Sequence, residues 1–342
     1  MHDRRFDVVG IGNAIVDVIS HADDGFVTRH HLNKGAMTLV DEARAESLYR
    51  DMGPGIESSG GSAANTMAGV ASFGGRAAYI GKVRDDTLGT VFAHDIRAAG
   101  VAYDVPPGAE GPPTARCLIF VTPDAQRTMN TFLGISALLS PDDVDEDLVA
   151  AASVTYCEGY LWDVEVAKEA MRKAMRVAHA AGNRVAFALS DGFCVDRHRA
   201  EFLELVEGAV DVVFANEDEI CSLYRVDSFD AALDRVRGSC ELACLTRSEK
   251  GSVLVTADEE HVVPAHPVAR VVDSTGAGDL YASGVLYGLT AGLDLPTCGR
   301  LGSLAAAEVI SHLGARPQQP LRDLAGDLSA ASAPAPAAPT PS

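Results

Sequence analysis

Short apolar runs and amphipathic stretches alternate through most of this chain. Phe6-Asp7-Val8-Val9-Gly10-Ile11-Gly12 reads as a buried strand closing on glycine. From about residue 153 the rhythm is regular. Apolar runs at 154–157, 184–189 and 211–214 each precede a helical pattern, at 164–181, at about 196–207, and from Asn216-Glu217-Asp218-Glu219 onward. Further strands are expected at 242–246 and 252–256. This alternation predicts an α/β fold with a doubly wound, mostly parallel sheet flanked by helices.

Two regions break the rhythm. Residues 27–40 mix polarity, with Met37 and Leu39 alternating against Thr38 and Val40, and suit a hairpin outside the main layers. Residues 101–134 hold Pro106-Pro107-Gly108 and Pro112-Pro113, then strand-like runs at 115–121 and 127–133 joined by a Thr122-Pro123-Asp124-Ala125 turn. The expected domain spans 1–325, with a small β lid from about 22–42 and 101–134. Residues 326–342, with an Ala-Pro-Ala-Pro run, lack a core-forming pattern and read as a disordered tail.

The chain has 342 residues, enough for one large domain or two smaller ones, and its 47% apolar, 22% charged composition is that of a globular protein. A net charge of −20 argues against a nucleic-acid surface, which needs clustered Lys and Arg. No apolar segment approaches membrane-spanning length. The seven cysteines include no C-x-x-C pair and fit free thiols in a reducing cytoplasm. No secretion signal is visible before the first strand, so a cytoplasmic location is expected.

Chemistry concentrates where strands should end. Val271-Val272-Asp273-Ser274-Thr275-Gly276-Ala277-Gly278-Asp279 reads as a short strand, a hydroxyl and glycine turn, and the first turn of a helix. Amides of such a turn lack intrahelical partners, and the peptide dipoles favour an anion. The glycines let main chain approach a phosphate, and Asp279 adds a carboxylate suited to taking a proton from an attacking hydroxyl. A plain capped turn uses the same residue types.

Asn13 and Asp17 follow the first strand at the edge where open α/β sheets bind ligands; they suit the vicinal hydroxyls of a sugar, or are simply a turn Asn and a surface Asp. A dinucleotide fingerprint at Gly10-x-Gly12 fails, because Ile15 stands where its third glycine belongs. Gly60 and Gly61 lead into a small-residue helix, with Asn65 one turn in. Asn216 and Glu219 share a face of an opening helical turn, where they can hold the water shell of Mg²⁺ or simply cap the helix. Thr246, Arg247 and Gly251 form a strand-end turn suited to nucleotide phosphate or ribose. Arg127, on the lid, either meets a phosphate or is solvated.

Gly60-Gly61 with Asn65, Asn216-x-x-Glu219, and Asp273-Ser-Thr-Gly-Ala-Gly-Asp279 occur in the order that resembles the ribokinase-like (PfkB) carbohydrate and nucleoside kinases. The resemblance runs from Asp7 to about Arg316. Gly12-Asn13-Ala14-Ile15-Val16-Asp17, Thr122-Pro-Asp-Ala-Gln-Arg127 and Phe193-Cys-Val-Asp-Arg-His198 are similar to the bacterial adenosine-kinase-like branch. It implies ATP-dependent phosphorylation of a nucleoside 5′-hydroxyl, foremost adenosine to AMP, with ribose, fructose or a related sugar as the alternative acceptor.

By that resemblance Asp279 is the base, and Gly276, Ala277 and Gly278 build the anion hole. Asn13, Asp17, Gly60, Gly61 and Asn65 hold the acceptor. Asn216 and Glu219 organise Mg²⁺ through water, Thr246, Arg247 and Gly251 serve ATP, and Arg127 clamps the transferring group. Asp273 and Thr275 match a monovalent-cation site, K⁺, of some members. Leu161, Trp162 and Phe132 are expected to wall the base. Ser248 departs from a glycine usual in the nucleotide loop. The helix dipole is expected to hold Asp279 ionised and weakly basic. Monomer and homodimer both remain open.

Overall fold

In the strand Phe6–Ile11, Val8 packs into one hydrophobic core while Val9 and Ile11 pack into another. Val212 and Val213, far along the chain, divide in the same way. That period of two is the signature of a sheet buried on both faces.

The structure is a computed structural model and describes residues 4–124, 126–326 and 328. Its strands are β1 (Phe6–Ile11), β2 (Ile15–His21), β3 (Met37–Leu39), β4 (Gly55–Gly60), β5 (Ala77–Ile80), β6 (Ala115–Val121), β7 (Arg127–Phe132), β8 (Ala152–Glu158), β9 (Arg184–Ala188), β10 (Val212–Asn216), β11 (Leu242–Thr246), β12 (Ser252–Val255) and β13 (Glu260–Val263). Eight of them form the main sheet in the order β13-β12-β11-β10-β9-β8-β1-β5. Pairing is parallel from β5 to β11, and only the β11–β12 and β12–β13 pairings at one edge are antiparallel.

Helices Glu165–Ala180, Gly192–Gly208, Glu217–Tyr224 and Phe229–Val236 cover one face, around Trp162, Phe187 and Phe202. Helices Ser62–Ser72, Ala277–Thr290 and Leu295–Val309 cover the other, around Met67, Tyr79 and Tyr281. The doubly wound α/β expectation holds. β1 lies between β5 and β8, so successive strands depart to opposite sides of it. The crevice beyond its carboxyl end is where such sheets take ligands.

The second sheet has five strands in the order β3-β7-β6-β2-β4. It corrects the expected lid boundaries, because β2 and β4 lie outside 22–42 and 101–134. The run after Gly12 opens no helix; its alternation puts Val16 and Val18 on one face and Ile15, Asp17 and Ile19 on the other. The hairpin expected over 27–40 is a helix, Asp24–Arg29, followed by β3. Asp23 caps that helix by accepting from the Phe26 amide at 2.6 Å, and Phe26 and Val27 are buried by it. Val271-Val272-Asp273 is not a strand either. It has no strand neighbour, and its amides at Val272 and Asp273 reach the Ile310 carbonyl. Apart from Gly326 and Leu328, the tail expected at 326–342 lies outside the described residues.

Phe202 is fully buried, with its ring 5.1 Å from Phe187 and 6.0 Å from Trp162. Phe202→Ala is expected to destabilise the fold by about 3–5 kcal/mol, read as a lower urea midpoint at unchanged m-value.

Candidate active site

Two helix starts converge over the crevice. Gly276 caps the helix Ala277–Thr290 with φ 79° and no side-chain cap. A Cβ there would also come within 2.8 Å of Ala315 Cβ, so the turn requires glycine twice over. The Ala277 amide reaches Ser274 O at 3.2 Å, while those of Gly278 and Asp279 have no acceptor among the described residues. A Cβ on Gly278 meets no atom within 4 Å: it faces open cavity. This is an anion-receptive turn.

Asp279 sits in that turn and is held from the helix Ser62–Ser72. Ser62 Oγ donates to its Oδ1 at 2.7 Å and Asn65 Nδ2 to its Oδ2 at 3.0 Å. Burial raises the Asp279 carboxyl above its ordinary value, against the lowering by Asn65, Ser62 and Arg316. The expectation of a carboxylate held weakly basic by the dipole is therefore reversed: desolvation wins.

Gly61, with φ 98°, caps the Ser62–Ser72 helix, and a Cβ on it would overlap the Asn13 carbonyl oxygen. A Cβ on Gly60 would overlap the Asp17 carboxylate. The glycine pair thus lets β2 and β4 bring Asp17 against the turn. Burial pushes the Asp17 carboxyl up to about 6, opposed by the charges of Arg127 and Arg316, with Asp279 adding to the rise.

Asn13 is placed otherwise than expected. It is buried, and both its amide N–H and Nδ2 donate to Glu158 Oε1 at 2.8 Å. Ser136 Oγ donates to its Oδ1 at 2.9 Å. Its side chain is consumed inside the protein. Glu158 ends β8, accepts from the Ala63 amide at 2.7 Å as well, and is pushed by burial up to about 7. The sequence reading missed Glu158, although a carboxylate closing an apolar strand run was a readable signal. Arg316 was also missed, and nothing local marks it.

Asn216 and Glu219 form a reciprocal capping box. Asn216 Oδ1 accepts from the Glu219 amide at 2.8 Å, while its own amide and Nδ2 donate to Glu219 at 3.0 and 2.6 Å. Burial pushes the Glu219 carboxyl up to about 7. Each Glu219 oxygen keeps one lone pair for a donor such as metal-bound water. Asn216, Glu219, Thr246 and Gly251 line a cavity of about 790 Å³ with Ser274, Ala277, Gly278 and Asp279. Its far wall is apolar, with Pro267, Val268, Ala306 and Ile310. Ser248 adopts φ 51°, a left-handed conformation that explains why glycine suits the position.

Three further placements are corrections. Arg247 points out of this cavity: it pairs with Glu217 at 3.1 and 3.2 Å and stacks 3.8 Å over the Phe229 ring. Arg127 is buried and ion-paired with Asp273, whose carboxylate also accepts from the Thr275 amide (3.0 Å), Thr275 Oγ1 (2.8 Å) and the Gly314 amide (3.0 Å). These four donors fill Asp273, so it and Thr275 offer K⁺ no free anionic oxygen. Leu161 and Trp162 lie in the core on the opposite side of the sheet, with Trp162 Nε1 donating to Glu201. Phe132 shares a lid face with Arg116 instead of with Asp17. The lid face that carries Asp17 is instead apolar through Ile15, Ile19, Cys117, Ile119, Val121 and Met129.

A carboxylate with raised proton affinity, set beside open amides of a helix start, is an arrangement suited to transfer of an anionic group to a hydroxyl. The model of the pfkB family carbohydrate kinases matches residues 55–322, and the chain belongs to that family. It is a phosphotransferase with an alcohol acceptor. Crystal structures of a probable sugar kinase protein from Rhizobium etli CFN 42 and of adenosine kinase from Sinorhizobium meliloti are 53% and 54% identical to it, each with a TM-score of 0.88. Each match covers 94% of this chain and 98% of the other. Adenosine kinase of Saccharomyces cerevisiae is 26% identical over 332 residues, covering 90% of this chain and 95% of that protein. Among the described residues no helix is long and apolar enough to cross a membrane.

Gly61→Ala is expected to cost at least about 2 kcal/mol, from backbone strain plus the overlap with Asn13. Gly278→Ala, at an unstrained and open position, is expected to leave stability unchanged. Paired urea titrations of the two variants check this.

Proposed function

We propose that this kinase phosphorylates the 5′-hydroxyl of a nucleoside, adenosine foremost, with ATP as donor. The observation that carries the reading is the pairing of Asp279, at the open amides of its helix, with Asp17 on an apolar lid face. A free sugar presents hydroxyls on all sides and gains little from Ile15, Ile19, Cys117, Ile119 and Met129. A flat base joined to a ribose matches both halves: base on the apolar face, vicinal hydroxyls on ionised Asp17. The adenosine kinase of Sinorhizobium meliloti, at 54% identity, supports the same assignment.

In this mechanism ATP lies along the cavity lined by Thr246, Gly251, Ala306 and Ile310. The acceptor lies across Asp279, between Gly60-Gly61 and the lid. Asn65 and Ser62 fix the Asp279 carboxylate, which accepts the 5′-hydroxyl proton as that oxygen attacks the γ-phosphorus in line. The bond to ADP breaks, and the amides of Gly278 and Asp279 receive the charge on the equatorial oxygens. Glu219, oriented by Asn216, would hold Mg²⁺ through water, and that ion neutralises phosphate charge when bound. Arg127 acts through Asp273, on the loop that leads into the anion hole.

Asp279→Ala is expected to lower kcat by about 10²- to 10⁴-fold with the fold intact. Initial rates with adenosine, inosine, ribose and fructose identify the acceptor; turnover of fructose or ribose alone would overturn the nucleoside reading.

The two carboxyls that must be ionised to hold and deprotonate the acceptor are raised by burial, Asp17 to about 6; Glu219, raised to about 7, would be kept ionised by bound Mg²⁺. Activity is therefore expected to fall as pH drops through about 6, not near the ordinary carboxyl value of about 4. Nucleoside KM should rise over the same range as Asp17 protonates. A kcat/KM profile whose acidic limb lies below about pH 5 would contradict this assignment of charges.

A further inference from the structure

Gly314, Ala315 and Arg316, on the loop that follows the helix Leu295–Val309, each touch a different part of the site. The Gly314 amide donates to Asp273 Oδ2 at 3.0 Å. Ala315 packs against the Gly276 turn. Arg316 reaches the other side of the crevice: Nε and Nη2 donate to Ser59 O at 3.2 and 3.0 Å, Nη1 to Ala64 O at 3.0 Å, and Nη2 to Ser59 Oγ at 3.0 Å. Ser59 and Ala64 bracket Gly60 and Gly61, so one planar fork spans the whole glycine turn. Asp95, from the helix Thr87–Ala98, completes the arrangement by accepting from the Ser59 amide at 2.7 Å and Ser59 Oγ at 2.6 Å.

We propose, resting on the phosphotransfer reading above, that Arg316 is a positioning residue. Its guanidinium locks the Gly60-Gly61 turn to the anion-hole loop, and its buried positive charge sets the field at Asp17 and Asp279. The groups that share that field are Asp17 on β2, Asp279, Asp95, Tyr79 on β5, Glu158 on β8 and Arg127 on β7. Arg316 lowers the proton affinity of Asp17 and of Asp279, opposing the burial that raises both. It also offsets the charge of Asp279, which raises the proton affinity of Asp17. Gripping three carbonyl and hydroxyl acceptors requires the fork; the charge alone does not.

Two full-length variants separate these roles, with the best acceptor found for the wild type. Arg316→Met, which loses fork and charge, should raise acceptor KM about ten- to a hundredfold and move the acidic limb of kcat/KM upward by about one pH unit. Arg316→Lys, which keeps the charge, should leave the limb at its wild-type position while KM still rises. Phe202→Ala, remote from the site, serves as a control that loses stability with no change in the limb. An unmoved limb in Arg316→Met, or an Arg316→Lys enzyme with wild-type KM, overturns the proposal. If Arg316→Met does not fold, Arg316→Lys alone decides through its KM. A wrong nucleoside assignment shows in the wild-type acceptor panel, so its failure is distinct from this one.

Discussion

Everything in the site depends on two helix N-termini being held close enough to share one carboxylate. Asp279, in the first turn of one helix, is bonded by Ser62 and Asn65 from the first turn of another. That approach is possible because the helices pack through small residues. A Cβ on Gly69 would come within 2.8 Å of Leu280 Cδ1, and one on Gly284 would lie 2.5 Å from the Leu301 and Gly302 backbone. Helices that touch through glycine and alanine lie nearer than helices separated by leucine. The apolar, small-residue composition of the segments 62–72, 277–290 and 295–309 is therefore a condition for the chemistry as well as for the core.

Closeness creates an electrostatic problem that the fold has to resolve. Asp17, Asp279 and Glu158 lie in one desolvated region, and burial raises all three. Isolated buried carboxylates would be neutral at pH 7, and a neutral Asp17 is a poorer hydrogen-bond acceptor. Glu158 is stabilised by three N–H donors, from Asn13 and Ala63. Asp17 has no such set, and its counterweights are the guanidinium groups of Arg127 and Arg316. Asp279 stands between these extremes, with two neutral donors and a cation. In the proposed role of base, a carboxyl with raised proton affinity is better matched to a hydroxyl than the weak one expected from the helix dipole alone. The dipole acts within a turn and is modest; full desolvation of a carboxylate is the larger effect.

Backbone features were largely legible in the sequence, and side-chain partnerships were not. The strand and helix alternation, the Asp273 to Asp279 turn and the Gly60-Gly61 cap follow from local rules of period, capping and glycine geometry. Asn216 and Glu219 were placed on one face of a helix start, and the structure resolves their alternatives toward the cap while leaving them on the cavity wall. What failed required knowing where long side chains end. Arg247 and Arg127 sit at expected backbone positions, but each guanidinium reaches an acid brought near only by tertiary structure, Glu217 and Asp273. Trp162 follows Glu158 by four residues yet packs in the core around Phe187 and Phe202, because the 3-10 turn Gly159–Asp163 carries it there. The helix at 24–29 was misread for a more local reason: its Asp23 cap was visible, but six residues give too little apolar period to outweigh the alternation that follows.

The Arg127–Asp273 pair also decides how the lid engages the core. Both side chains are buried, at 7% and 4% exposure. Separating such a pair leaves an uncompensated charge and costs about 3–5 kcal/mol. For Arg127 to swing onto a phosphate it would have to recover that loss, and Asp273 would keep only its Thr275 and Gly314 donors. Holding Asp273 requires no such exchange. Through that one contact the lid strand β7 fixes the loop that sets Gly276 and the open amides. The Nε of Arg127 has no partner among the described residues. Anchored in this way, the second sheet is tied through β7 to the loop that shapes the anion-receptive turn, with Asp273 as the joint between them.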